Sequence, residues 1–198
     1  MKDTDPSRLP GVSAYLKRYT HTEHLALEKL LVRSMKQIRS KEAYIRLLGL
    51  FYYYYHALET AMAPWLDIPD APARRKAASI LEDIAAMGGT LTATDLRPAV
   101  PPISGRAAAL GAAYVLEGST LGGIIIAGMI SSQLQMQAGK GFSFFNGYGA
   151  STGEMWKKFR EYLDNLGEDD RQPAAEAAKN TFLTFKDWAI AYEPIFEI

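Results

Sequence analysis

The 198-residue chain contains no cysteine, which excludes disulfides, iron–sulfur clusters, thiolate-held metals and a cysteine nucleophile, and fits a reducing compartment. It has no charge of one dominant sign. The 22 basic and 22 acidic side chains cancel, removing the composition-level argument for a nucleic acid or an acidic membrane surface as partner. Long hydrophobic runs are also missing. The most apolar stretch, LGGIIIAGMI from Leu121 to Ile130, falls far short of the ~20 residues of a bilayer span, and Glu117 lies just before it. It reads as a buried helix, with no role for a membrane. The opening MKDTDPSRLPGVS lacks the apolar centre of a secretory signal, so the cytoplasm is the expected location, with residues 1–12 a flexible N-terminal segment. No run of β-branched alternation long enough to require a sheet occurs, and there is neither a repeat nor a low-complexity tract. What is present is 48% hydrophobic and 22% charged, enough for a core in a single domain spanning 1–198.

The fold class expected is all-α. Apolar residues recur three and four apart from about Ser13 to Gln37, predicting one amphipathic helix. Ser40 can cap a second helix through Met62, carrying Tyr44, Leu47, Leu48, Phe51, Tyr55 and Leu58, with Pro64 at its end. Asp70 and Pro72 suit the start of a third, ending near Met87 before Gly88 and Gly89. Thr90 to Pro102, with three prolines, reads as a loop. Ser104 can cap a fourth helix toward Gln137, interrupted by Gly118, Gly122 and Gly123 at a cost in helix propensity. Gly139 to Gly149 is turn-rich. Ser151 and Glu154 form a capping-box pattern opening a helix toward Leu166, and a last helix is expected from about Pro173 to Tyr192.

His21, His24 and His56 are the strong nitrogen ligands for a metal. Glu28 lies one helical turn after His24, where its carboxylate can accept the N–H of the ring nitrogen that does not bind metal. Lys17, two turns before His24, shares nearly the same helix face and could meet an anionic group. A surface histidine beside a solvated glutamate has the same spacing, and His21 is an equal candidate ligand on spacing. His56, in the aromatic run FYYYYH, suits a hydrogen-bonded packing role. In YVLEGSTLGGIII, Gly118 and Gly122 share one helix face, where a flat cofactor can approach the backbone and a bend can open room for a small ligand. Close helix–helix packing at small residues is the alternative. Gly123 and the hydroxyls of Ser119 and Thr120 lie beside that face.

THTEHLALE from Thr20 to Glu28 resembles the proximal-helix pattern of the heme oxygenases: Thr, three residues, His, three residues, Glu. Ala57-Leu58-Glu59 falls near the expected distance beyond it, and EGSTLGG from Glu117 to Gly123 is similar to the distal-helix motif of the bacterial, biliverdin-producing branch. FFNGYG, Gly153 and Trp156 resemble that branch too, as do Glu176-Ala177-Ala178-Lys179 and Phe182 in the last helix. The resemblance spans nearly the whole chain. It implies a helical bundle with a glycine-kinked distal helix, in which heme is both cofactor and substrate. Its iron would be bound by neutral His24, with Glu28 behind the ring, Phe182 and the glycines Gly118, Gly122 and Gly123 against the heme, and Lys17 and Lys179 near the propionates. It further implies that O2 is co-substrate, that ferredoxin or a flavoprotein reductase supplies electrons, and that the products are biliverdin, carbon monoxide and iron.

The sequence departs from the animal-type pattern at Ser119, where those enzymes carry a distal Asp, and at Val115, where they carry an Arg. A serine holds no charge but can position water, so a proton relay would run through Ser119, Thr120 and ordered water. Ser119 also keeps open a noncatalytic heme-binding protein on the same fold. A two-iron oxygenase needs paired Glu-x-x-His motifs on facing helices, which the chain does not convincingly offer. A purely structural module is the remaining alternative.

Overall fold

The structure is a computed structural model and describes residues 11–91, 96–136 and 140–192. Among the described residues, eight α-helices follow in order: α1 (Val12–Tyr19), α2 (His21–Lys36), α3 (Lys41–Met62), α4 (Ala77–Ala86), α5 (Arg106–Gln133), α6 (Ser143–Asn146), α7 (Thr152–Asp164) and α8 (Glu168–Tyr192). There is no strand among the described residues.

The core lies where α3, α5 and α8 meet. Along α3 the predicted stripe is buried from Tyr44 through Leu58, and Ser40 accepts the amide of Ala43 at 3.1 Å as its cap. Tyr54 stacks on Phe185 with ring centroids 4.3 Å apart, while its hydroxyl donates to the carbonyl of Thr181 at 2.8 Å. The ring is thus buried and its one polar atom is satisfied, as a core tyrosine requires. Helix α5 crosses α8 so closely that a Cβ on Gly111 would lie 2.0 Å from the carbonyl oxygen of Ala174. Only glycine permits that approach.

Several expectations change. The single first helix is two, divided at Thr20, whose hydroxyl turns back to the carbonyl of Leu16 at 2.8 Å while its backbone leaves helical geometry. A Thr oxygen that competes for a carbonyl in this way weakens continuation of the helix. Val12 begins α1 and is buried, so the N-terminal segment expected over 1–12 is helical from Val12; residues 1–10 lie outside the described residues. The third helix splits into a 3-10 turn at Ala71–Arg74 and α4, because extended Arg75 separates Arg74 and Lys76, both of which turn inward. The fourth starts after Gly105 without a side-chain cap, ends at Gln133, and runs unbroken across its glycines; Gln137 lies outside the described residues. Ser151 makes no capping bond to α7. Helix α8 starts at Glu168, earlier than Pro173, with Glu168, Asp169 and Asp170 favourably placed in its first turn. The turn-rich segment contains α6 and a 3-10 turn at Gly149–Ser151; its first residue, Gly139, is outside the described residues, as are 92–95 of the proline-rich loop.

The apolar stretch from Leu121 is only partly buried. Leu121, Ile124 and Ile125 are 51%, 57% and 79% exposed, since this part of α5 packs on one side and opens on the other. By length and composition alone α5 is long and apolar enough to cross a membrane, a criterion that the core helix of a helical bundle also meets; 44% of its most apolar window is buried within the fold.

Candidate functional site

A cleft of about 630 Å³ separates α2 from the middle of α5, with α3, α7 and α8 contributing to its walls. Its volume lies within the roughly 300–1,000 Å³ usual for ligand sites. From α2 it takes His21, His24 and Glu28, and from α1 Lys17. His24 Nε2 lies 3.9 Å from Glu28 Oε2 and its ring centroid 5.4 Å from that of Phe182, another wall residue. That nitrogen–oxygen separation is an ion-pair distance, too long for a hydrogen bond. Both side chains are about half exposed, at 54% and 55%, because the cleft is open on their side. His56 is elsewhere: it stacks on Tyr52 at 5.5 Å in a separate groove along α3 and α4. Lys179 is not in the cleft wall either. Its ammonium lies 3.7 Å from Glu23 and over the ring of Tyr19, so it ties α8 to the first two helices.

The glycines of α5 separate into two kinds. A Cβ on Gly123 would stand 1.9 Å from the carbonyl oxygen of Phe145, so the backbone of α6 requires glycine there. A Cβ on Gly122 would meet nothing within 4 Å, and one on Gly118 would meet only Trp156, at 3.9 Å. Both line the cleft, and packing within the chain gives no reason for them to lack side chains.

The Ser119 and Thr120 hydroxyls have committed protons. Ser119 donates to the carbonyl of Leu116 at 2.7 Å, and Thr120 to that of Glu117 at 2.7 Å. Ser119 in turn accepts from the Tyr55 hydroxyl at 3.0 Å. Burial pushes the Tyr55 phenol well above its ordinary range, against the hydrogen bond to Ser119, so it is a neutral donor. Sequence reasoning placed Tyr55 only in the core stripe of α3. Tyr114 and Arg160, also in the wall, were not singled out. Tyr114 precedes Gly118 by four positions on one helix and was legible by spacing. Arg160 comes from α7, and nothing local in the sequence links it to the cleft.

The heme oxygenase family model matches residues 99–191, a little under half of the chain. No curated protein matches the sequence. Among solved structures, the chain is similar to the heme oxygenase of Neisseria meningitidis in its NO- and CO-bound forms, with 22% identity over 93% of this chain and 92% of that one and a TM-score of 0.78. It is similar to heme oxygenase from Leptospira interrogans at 24% identity, covering 91% and 98%, with a TM-score of 0.73. Heme oxygenase-1 of the cyanobacterium Synechocystis, solved in complex with heme, gives 17%, 94% of each chain and 0.70. This bundle therefore has the heme oxygenase fold.

Proposed function

We propose that the protein is a heme oxygenase of the bacterial, biliverdin-producing kind, cleaving heme with O2 and reducing equivalents to biliverdin, carbon monoxide and iron. The observation that carries this reading is the pairing across one cleft of His24 with two glycines, Gly118 and Gly122, whose missing side chains answer to no neighbour in the protein. A planar macrocycle laid between the helices explains both. When bound, heme supplies the redox centre and is itself the molecule consumed.

The protein's part is to bind, orient and hydrate. His24 is the iron ligand, and Glu28 one turn on can receive the imidazole N–H once the ring turns toward it. Lys17 and Arg160 are the wall cations suited to propionates, a role in which Arg160 replaces Lys179. Phe182 packs beside the His24 ring. Opposite, Gly118, Gly122 and Gly123 bring the backbone of α5 close, Gly123 by seating α6 against the helix. Tyr55 donates to Ser119, and a proton can pass only if Ser119 releases the Leu116 carbonyl and turns to a cleft water. Thr120 has the same constraint. A ferredoxin or flavoprotein reductase in the cytoplasm is the fitting electron donor.

That commitment of both hydroxyls specifically favours a second reading, a heme-binding protein without turnover. Reducing the hemin complex in air with ascorbate or a reductase system, with catalase present, separates the two. The oxygenase reading predicts loss of the Soret band and growth of a biliverdin-like red absorption. A Soret band that shifts on reduction and then persists contradicts it.

A further inference from the structure

Behind the glycine segment, on the side of α5 away from the cleft, lies a buried ionic cluster. Glu117 is 2% exposed, Arg74 5% and Lys76 7%. Arg74 and Lys76 each donate a hydrogen bond to a different oxygen of the Glu117 carboxylate, and the Tyr148 hydroxyl donates to both, at 2.8 and 3.0 Å. Lys76 also donates to Tyr148 at 3.1 Å and to the carbonyl of Arg74 at 3.0 Å. Arg74 grips Asp70 with two further bonds, of 2.9 and 2.8 Å, and Lys158 reaches the same Asp70 carboxylate at 3.2 Å. On the other side, the backbone amides of Lys76 and Ala77 donate to Glu59, which Arg75 approaches at 3.7 Å.

We propose that Glu117 is a positioning residue for the cleft: clamped by Arg74, Lys76 and Tyr148, it sets how far Gly118, Ser119 and Thr120 stand into the cavity. It thereby controls the hydration of the cleft wall that these residues form. The inference rests on the heme reading of the cleft.

Three observations carry it. Gly118 and Gly122 have no side chains to lock this stretch of α5 by packing, and glycine within a helix leaves the backbone freer than alanine would. Glu117 immediately precedes the first of them. Secondly, the Ser119 and Thr120 hydroxyls bond to the carbonyls of Leu116 and Glu117, so they move with the anchored residue. Thirdly, Tyr148 follows Gly147, whose left-handed φ of 56° places it beside Thr120; a Cβ there would sit 3.2 Å from the Thr120 Cβ. The clamp thus includes the loop that touches Thr120. Well-packed apolar residues in place of buried charges are often as stable or more so, so stability alone does not account for the cluster.

The test uses the full chain with Tyr148→Phe, which removes one donor, and the charge-balanced pair Glu117→Gln with Lys76→Met. Far-UV circular dichroism establishes that both fold. Hydrogen–deuterium exchange without hemin then reads the anchor alone. Amides of residues 118–126 should exchange about tenfold faster in the double variant, with those of α3 and α8 unchanged. With hemin, the affinity should stay within about threefold of the parent, while the midpoint of the acid–alkaline transition in the visible spectrum moves by about half a pH unit or more. Tyr148→Phe should move both readouts in the same direction by less. Unchanged exchange at 118–126, or altered exchange with an unmoved midpoint, overturns the proposal. If the parent fails to bind hemin, the heme reading falls on that result, and the exchange experiment still decides whether Glu117 anchors the segment.

Discussion

Gly122 and Gly123 are adjacent in sequence and lack side chains for different reasons. Alanine at 122 meets open space in the cleft, so Gly122→Ala should fold with equal or slightly raised stability, by about 0.5–1 kcal/mol from lost backbone freedom, and bind hemin more weakly. Alanine at 123 collides with the carbonyl of Phe145, so Gly123→Ala should lose about 1–3 kcal/mol by pushing α6 off α5. Thermal melts and a hemin titration on both variants check the pair. The two positions look alike in EGSTLGG, because the sequence records that a side chain is absent without recording what occupies its place. Helical spacing marked Lys17 and His24 but left His21 an equal candidate, and only the resemblance favoured His24; all three line the cleft. Tyr55 was legible only as an apolar-stripe residue; its hydroxyl meets Ser119 from a different helix, a pairing that periodicity along one helix does not encode.

At the scale of elements, periodicity located most helices, and two of the departures fell where polar side chains make bonds that periodicity does not encode. Thr20 divides the first helix through its bond to Leu16, and Arg75 delays α4 by turning its neighbours toward Asp70 and Glu117. The 3-10 turn at Ala71–Arg74 carries a pH-dependent contribution. Burial raises the Asp70 carboxyl pKa, but the hydrogen bonds and charges of Arg74 and Lys158 outweigh it and hold the carboxyl below its ordinary range. A carboxyl depressed by folding contributes stability above its unfolded pKa of about 4, and that contribution disappears as pH falls through the lower folded value. Asp70→Asn should therefore cost about 1–3 kcal/mol at pH 7, and the gap to the parent should close in acid. Urea denaturation at pH 7 and below pH 4 measures it; a constant gap contradicts the assignment. Asp83 secures a neighbouring element by accepting the amides of Ser143 and Phe144, at 2.8 Å each. Asp83→Ala removes these bonds, so it should cost about 1–3 kcal/mol and loosen α6, the element that brings Phe144 and Phe145 to the cleft. Denaturant melts read the first effect and hydrogen exchange the second.

Across the whole molecule, the first two helices and α5 form opposite walls of an open cleft, and their mutual contacts are few beside those each makes with α8. A ligand that bridges these walls adds contacts that the protein alone does not possess. Hemin at about 100 times its dissociation constant should stabilise the fold by about 2.7 kcal/mol. For a domain of this size that corresponds to a rise in Tm of roughly 5–10 °C. The exposure of Leu121 and Ile125 follows from the same openness, since both line the cleft, whereas Ile124 is exposed outside it. Composition could show that the stretch was apolar, but its partial exposure depends on which helices fold against it.

The most direct test of the central claim, that this cleft binds heme through His24, is an optical hemin titration of the parent, His24→Ala and His21→Ala. The account predicts a saturable Soret transition in the parent, nearly the same transition in His21→Ala, and loss of the histidine-ligated spectrum in His24→Ala with the helical fold intact. Identical spectra in His24→Ala and the parent, or loss confined to His21→Ala, would contradict it.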